Sequence, residues 1–293
     1  MSGAVAFERS QAFARTVGWV SAEELEALGQ KRVAIAGLGG VGGAHLMTLA
    51  RLGVGAFHIA DLDVFELANL NRQINASMSS LGRPKVEVMA ERARDVNPEL
   101  DLRLFGDGVS AADVDAFLEG VDLYVDGLDV FAMEARRLVF SRCHALGIPA
   151  LTAGPIGMGV AMMSFLPGAM SFEDYFHFGE RTVEQQLVRF FVGLAPSVLQ
   201  RGSLVDPRAM NLLERRTPST PMGMQLCAGA AGTEAMKILL GRSGVRPAPW
   251  SLHFDAYSGR LRHTWRPWGN RNPLQRIILY FAERQLLPRL PPA

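Results

Sequence analysis

Cysteine is nearly missing from this chain: Cys143 and Cys227 are the two thiols in 293 residues. Two thiols build neither a disulfide framework nor a site of paired CxxC motifs. An excess of one charge is missing too. Lys and Arg total 30 against 29 acidic residues. A general nucleic-acid binder carries a clear basic surplus, so only a local basic patch stays open. No apolar run reaches the roughly 18–20 residues that cross a membrane. Residues 1–15 lack the apolar core of a secretory signal. There is no internal repeat and no low-complexity tract. These absences predict a soluble, cytoplasmic protein with no nucleic-acid and no membrane partner.

What is present is an ordinary globular composition, long enough for one large core or two modest ones. Residues 1–30 read as a polar arm and a short helix, with Ser21 and Glu24 spaced as a capping box. From Lys31 the texture changes. An apolar strand at 33–36 runs into the glycine-rich stretch 37–43. A helix pattern follows over 44–52, then a strand at 57–60 that ends on Asp61. The alternation goes on: a helix from Pro84 to 95, a strand at 102–105, a strand at 121–125, a helix at 133–146 and a strand at 148–152. Strand–helix alternation of this kind builds a doubly wound, Rossmann-like α/β fold with a mostly parallel sheet.

The second half is less regular. Strands are expected at 160–166 and 251–256 and helices at 184–194, 225–240 and 273–287. Substrate specificity is expected within 153–178, where Gly154–Gly157 reads as a rigid turn and 171–179 as a loop whose residues 171–176 are either a pocket wall or ordinary core packing. The predicted organisation is an arm (1–30), one domain (31–267) with a nucleotide half (31–152) and a substrate half (153–267), and a helical tail (268–293). An Arg-rich amphipathic tail of this kind can touch a membrane or a partner; packing on its own domain or across a dimer is the favoured expectation.

Gly37, Gly39 and Gly42, with Gly40 between them, form G-x-G-x-x-G directly after a strand and before a helix. Such a loop turns tightly, lets backbone approach a phosphate and aims helix N–H groups at it. Asp61, at the end of the next strand, suits a ribose hydroxyl pair. NAD, FAD and ATP all fit so far. The stretch DLDVFELANLNRQ, from Asp61 to Gln73, is unlike a dehydrogenase. It clusters Asn69, Asn71, Arg72 and Gln73 beyond the carboxylate. Lys85 opens the following helix, and Asp129 lies past the fourth strand. In an open parallel sheet these strand ends share one edge. A phosphate loop, a ribose acceptor, an Arg, a Lys and a separate carboxylate suit Mg-ATP better than a dinucleotide.

The motifs GLGGVGG, DLDVFELANLNRQ, GRPK and DGLD, in that order over 32–152, resemble the adenylation domain of the ThiF/MoeB/HesA family, which includes the ubiquitin-activating enzymes. The small-residue stretch 224–241 is similar to a late helix of that family. The resemblance implies an ATP-dependent adenylyltransferase that activates a carboxylate as its acyl-adenylate with release of pyrophosphate. The activated group would be the C-terminus of a ubiquitin-like carrier protein or peptide, or a small carboxylic acid. It implies that Asp61 and Asp63 serve nucleotide binding, that Asn69, Arg72, Gln73 and Lys85 reach the phosphates, and that Asp129 holds Mg2+. It also implies a homodimer in which an arginine of the partner's N-terminal arm completes the site, with Arg9 the first candidate and Arg15 the second.

The pairs of CxxC that bind zinc in many relatives are absent, so no zinc is expected. No cysteine lies in the region comparable to the catalytic-cysteine loop, and the two thiols present sit among apolar or small residues, as buried structural thiols do. The six histidines give no metal spacing. Plainer roles compete: Arg72 as a surface ion pair, Lys85 as a solvated side chain, Asp129 as a helix cap. An NAD-dependent oxidoreductase would share the loop and Asp61 but leave Arg72, Lys85 and Asp129 without a task. A non-catalytic nucleotide-binding scaffold would not need Arg72 or Asp129. An enzyme that activates a carboxylate on a modified tRNA base gains nothing from the neutral charge.

Overall fold

A computed structural model describes residues 6–206, 209–210 and 217–287. The arm forms α1 (Arg9–Ala12) and α2 (Ala22–Gly29), and the Ser21–Glu24 capping box opens α2 as expected. Then β1 (Arg32–Ala36) runs into α3 (Gly40–Leu52), which leads to β2 (Ala56–Ala60). The helix α3 starts within the glycine run, four residues before its apolar pattern becomes visible. Next come α4 (Lys85–Val96), β3 (Asp101–Phe105), α5 (Val114–Leu118), β4 (Leu123–Asp126) and α6 (Met133–Leu146). The strand β5 (Ala150–Ile156) pairs with β6 (Gly159–Phe165). After them lie α7 (Phe172–Phe176), α8 (Val183–Leu194), α9 (Pro221–Leu239), β7 (Trp250–Asp255), β8 (Arg260–Trp265) and α10 (Pro273–Leu286).

All eight strands form one sheet in the order β3-β2-β1-β4-β5-β6-β7-β8. The first five are parallel and the last three antiparallel. The expected boundary at 152/153 falls inside β5, so both halves share the sheet. One face buries Val33, Ile35 and Val125 under α3, α4 and α9. The other buries Ala34, Tyr124 and Ala161 under α5, α6, α7 and α8. Apolar residues on both faces are what a parallel sheet covered by helices requires.

Two sequence expectations change, and one strand was not foreseen. The Gly154–Gly157 stretch is not the turn; β5 continues to Ile156, and the reversal is a two-residue hairpin at Gly157–Met158 with Gly157 at φ +63°. Hairpins this tight need positive φ, which glycine adopts freely. The aromatic stretch is a short helix capped by Ser171, not a loop, and Phe172, Tyr175 and Phe176 are core rather than pocket wall. The strand β8 has no counterpart in the sequence reading. It is exposed on both faces and so carries no alternation of apolar and polar residues.

The tail helix packs on its own domain, with Leu279 against Val188 and Val192 of α8.

Candidate nucleotide site

The strands β1, β2 and β4 end side by side at Ala36, Ala60 and Asp126. Their loops meet at the edge where α3 begins. Gly37 sits at φ +83°, and a Cβ on it would lie 2.3 Å from the carbonyl oxygen of Gly127. A Cβ on Gly42 would lie 1.7 Å from the oxygen of Gly37, and one on Gly127 2.4 Å from that same oxygen. These three glycines are required by the backbone itself. Gly39 is different: its nearest neighbour would be the Gln73 amide nitrogen at 3.4 Å. Gly40 would meet only the flexible end of Met224 in α9.

Asp61 shapes the loop. One carboxylate oxygen accepts the N–H of Leu38 at 2.6 Å and the other that of Asp63 at 2.8 Å. Burial raises its pKa above the usual carboxylate value, against the pull of these hydrogen bonds and of the Lys85 charge. Each oxygen keeps a second lone pair that a ribose hydroxyl could use.

Lys85 is not a solvated side chain. It is 6 % exposed, and its Nζ donates to Asp63 at 2.9 Å. An isolated bridge between Val64 and Pro84, and the Lys85 N–H on the Asp63 carbonyl at 2.9 Å, bind the two segments together. Buried ammonium groups need such a partner. Asn69 is buried and turns the chain by accepting the Glu66 N–H on its side chain at 3.0 Å. Arg72 is half-buried, resting on the Ala68 carbonyl and the Asn71 side chain at 2.8 and 3.1 Å; among the described residues it pairs with no carboxylate. Gln73 is buried over Gly39, and its Oε1 has no protein partner.

Asp129 is exposed, and its Oδ1 accepts the Phe131 N–H at 2.9 Å ahead of α6. It is thus a turn-stabilising residue with its other oxygen left over. The sequence reading missed what holds its loop. Arg136 of α6 donates from Nε to Asp126 at 2.8 Å, and both side chains are buried. Thr152 also donates to Asp126 at 2.8 Å, while Arg136 Nη2 donates to the carbonyls of Leu128 and Asp129 at 2.7 and 3.2 Å. The visible signal was a lone arginine on the inward face of α6.

Arg9 is not brought to this site in its own subunit. Its guanidinium donates to the carbonyls of Leu25 at 3.0 Å and of Gly53, and stacks over Phe13. Gly53 caps the far end of α3, about 20 Å along the helix from the glycine loop. Arg15 is exposed and makes no side-chain hydrogen bond or ion pair to the described residues.

At this edge of the sheet Asp61 bonds the glycine loop, Lys85 bonds Asp63, Gln73 lies over Gly39 next to Arg72 in the chain, and Asp129 follows β4. The sequence model of the ThiF family matches residues 13–277. The chain belongs to the ThiF family. Among curated proteins it is 32 % identical over 148 residues to the tRNA threonylcarbamoyladenosine dehydratase of Escherichia coli, covering 50 % of this chain and 54 % of that protein. It is 32 % identical over 136 residues to the sulfur carrier protein ThiS adenylyltransferase of the same organism, covering 46 % and 53 %. The chain thus spans about half the length of these curated ThiF-family relatives. The structure of E. coli MccB with ATP superposes with a TM-score of 0.64 at 18 % identity, over 90 % of this chain and 72 % of that one; at that identity the likeness is one of fold.

Proposed function

We propose that this ThiF-family chain is an ATP-dependent adenylyltransferase that activates a carboxylate as an acyl-adenylate. The observation that carries the reading is the buried Lys85, held by Asp63 beside the glycine loop. A triphosphate carries more negative charge than the diphosphate of a dinucleotide and makes fuller use of that cation. The substrate carboxylate is ionised near neutral pH and needs no general base. It attacks the α-phosphorus in line, and pyrophosphate leaves. The chain's task is to position the two reactants and neutralise charge. Helix α3 N–H groups, Arg72 and Lys85 face the phosphates, and Asp61 orients the ribose.

Among the described residues no three His, Cys, Asp or Glu side chains are grouped to hold a metal ion. Mg2+ takes one or two carboxylates and completes its shell with phosphates and water. Asp129 would hold it, because Asp126 is committed to Arg136 and Thr152. The ion, when bound, offsets charge on the phosphates.

The activated group is the C-terminus of a ubiquitin-like carrier or a peptide, or a small acid. The relative named as a ThiS adenylyltransferase supports the first of these. The relatives named as tRNA threonylcarbamoyladenosine dehydratases favour a second reading, a carboxylate on a modified tRNA base, with the same first step. A homodimer would supply an arginine across the interface, and Arg15 fits that role better than the anchored Arg9.

Titration calorimetry with Mg-ATP and with NAD, on wild type, Arg72→Ala and Asp129→Ala, tests the proposal. ATP binding that weakens in both variants supports it. NAD binding without ATP binding overturns it.

A further inference from the structure

Residues 256–282 contain no acidic side chain and five arginines: Arg260, Arg262, Arg266, Arg271 and Arg276. On the same count this stretch carries +5 and the rest of the chain −4. The near-neutral total therefore conceals a segregated charge. The first acid beyond it, Glu283, faces Arg189. None of the five arginines pairs with a carboxylate among the described residues; Arg266 bonds to the Gln275 side chain at 3.3 Å.

The same stretch exposes large apolar side chains. Trp268 is 61 % exposed and Phe281 63 %, and Trp265, Leu274, Ile277 and Tyr280 are exposed as well. Leu274, Ile277 and Phe281 are spaced three and four apart, one stripe of α10. The opposite side of that helix is already used, with Leu279 on Val188 and Val192. A helix apolar on both sides is one that something covers. The tryptophan turn is continuous with it, because Asn272 donates to the Pro267 carbonyl at 3.2 Å and Arg266 reaches Gln275. Trp268 itself sits at φ +65°, a strained backbone for a bulky residue, with its indole left outside.

The chemistry selects the occupant. A second copy meeting this face two-fold would set arginines against arginines with no acid between them. A nucleic acid would engage the arginines and tryptophans but leave Leu274 and Ile277 in water. An anionic lipid surface suits the α10 stripe and the turn beside it: the Arg271 and Arg276 guanidinium groups on phosphates, the Trp268 indole at headgroup level, and Leu274, Ile277 and Phe281 at the acyl boundary.

We propose that this face docks on an anionic membrane surface, with α10 lying in the headgroup plane. No described helix is long and apolar enough to cross a bilayer.

Co-sedimentation of the full chain with vesicles tests this. Phosphatidylcholine vesicles holding roughly 30 mol% phosphatidylglycerol should carry the protein down, and phosphatidylcholine alone should not. Tryptophan emission should shift to the blue on binding. Each of Arg266, Arg271 and Arg276 changed to Gln should lower partitioning about fivefold. The Ile277→Asp/Phe281→Asp pair should abolish it with the thermal midpoint unchanged. Equal or absent binding to both vesicles overturns the proposal. So does a solution dimer that Phe281→Asp dissociates, which assigns the face to a second copy. Retention of a labelled single-stranded RNA that the same arginine variants lose, without vesicle binding, assigns it to nucleic acid and equally ends the lipid reading.

Discussion

Arg136 holds Asp126 at 2.8 Å in the core and uses its remaining nitrogens on the carbonyls of Leu128, Asp129 and Val130. One side chain therefore fixes both the end of β4 and the loop that presents Asp129. Arg136→Ala leaves Asp126 buried without its cation and should cost about 3–5 kcal/mol of stability. Urea unfolding measures this. Asp126→Leu with Arg136→Met should recover part of the loss, because neither charge is then stranded.

Glycines of the loop should separate by experiment. Gly42→Ala has no room beside the Gly37 carbonyl and should lower the thermal midpoint sharply. Gly39→Ala meets only the Gln73 amide, so the fold should stand. Its methyl would instead intrude where a phosphate approaches the loop, and ATP affinity should fall at least tenfold in calorimetry. Unchanged affinity would remove Gly39 from the site.

The chain has three lysines, Lys31, Lys85 and Lys237. A lysine-directed acyl-phosphate reagent therefore gives a simple peptide map. Mg-ATP should protect Lys85 and leave the other two unaffected. Lys85→Met should slow ATP–pyrophosphate exchange by about a hundredfold, the loss typical of one transition-state charge contact.

His45 is buried in α3 with neither ring nitrogen bonded, and burial pushes its pKa down to about 4 from 6.5. The unfolded ring takes a proton below about pH 6.5, while the folded ring stays neutral until about 4. Stability is therefore lost as pH falls through that window, by at most about 3 kcal/mol from this residue. Asp61, with its raised pKa, acts in the opposite sense at acid pH, since the folded state holds its proton more tightly. His45→Leu should flatten the decline between pH 7 and 5 in urea titrations and add about 1 kcal/mol at pH 7.

Arg9→Ala and Arg15→Ala should part company. Arg9→Ala strips two backbone carbonyls of their donor and should lower stability by about 1–2 kcal/mol. Arg15→Ala should leave the midpoint alone and reduce exchange activity. Mixing Arg15→Ala with Arg72→Ala subunits should restore part of that activity if sites are shared, and no recovery would count against a trans arginine at that position.

The parallel half of the fold was legible because short apolar strands and glycine punctuation leave local marks. β1, the glycine loop and β2 needed no tertiary information. The helix α7 was not legible, since its aromatic residues are weak helix formers and only the core they fill holds them there. The residues proposed for the site stand in contiguous motifs, which is why the sequence alone could single them out. Arg136 did not, because its ten-residue reach to Asp126 depends on burial, which no pattern in the sequence displays. Only the fold, likewise, shows that the Leu25 and Gly53 carbonyls hold Arg9 within its own subunit.

Gly37, Gly42 and Gly127 touch backbone to backbone, with no side chain as cushion. The loop after β1 and the loop after β4 are consequently one rigid unit, and neither can shift without the other. A nucleotide bound as proposed at the first loop would then be felt at Asp129 through backbone contact. Nucleotide and metal should then arrive and depart as a single species, and a kinetic scheme that loads them in independent steps would be the wrong description of this site.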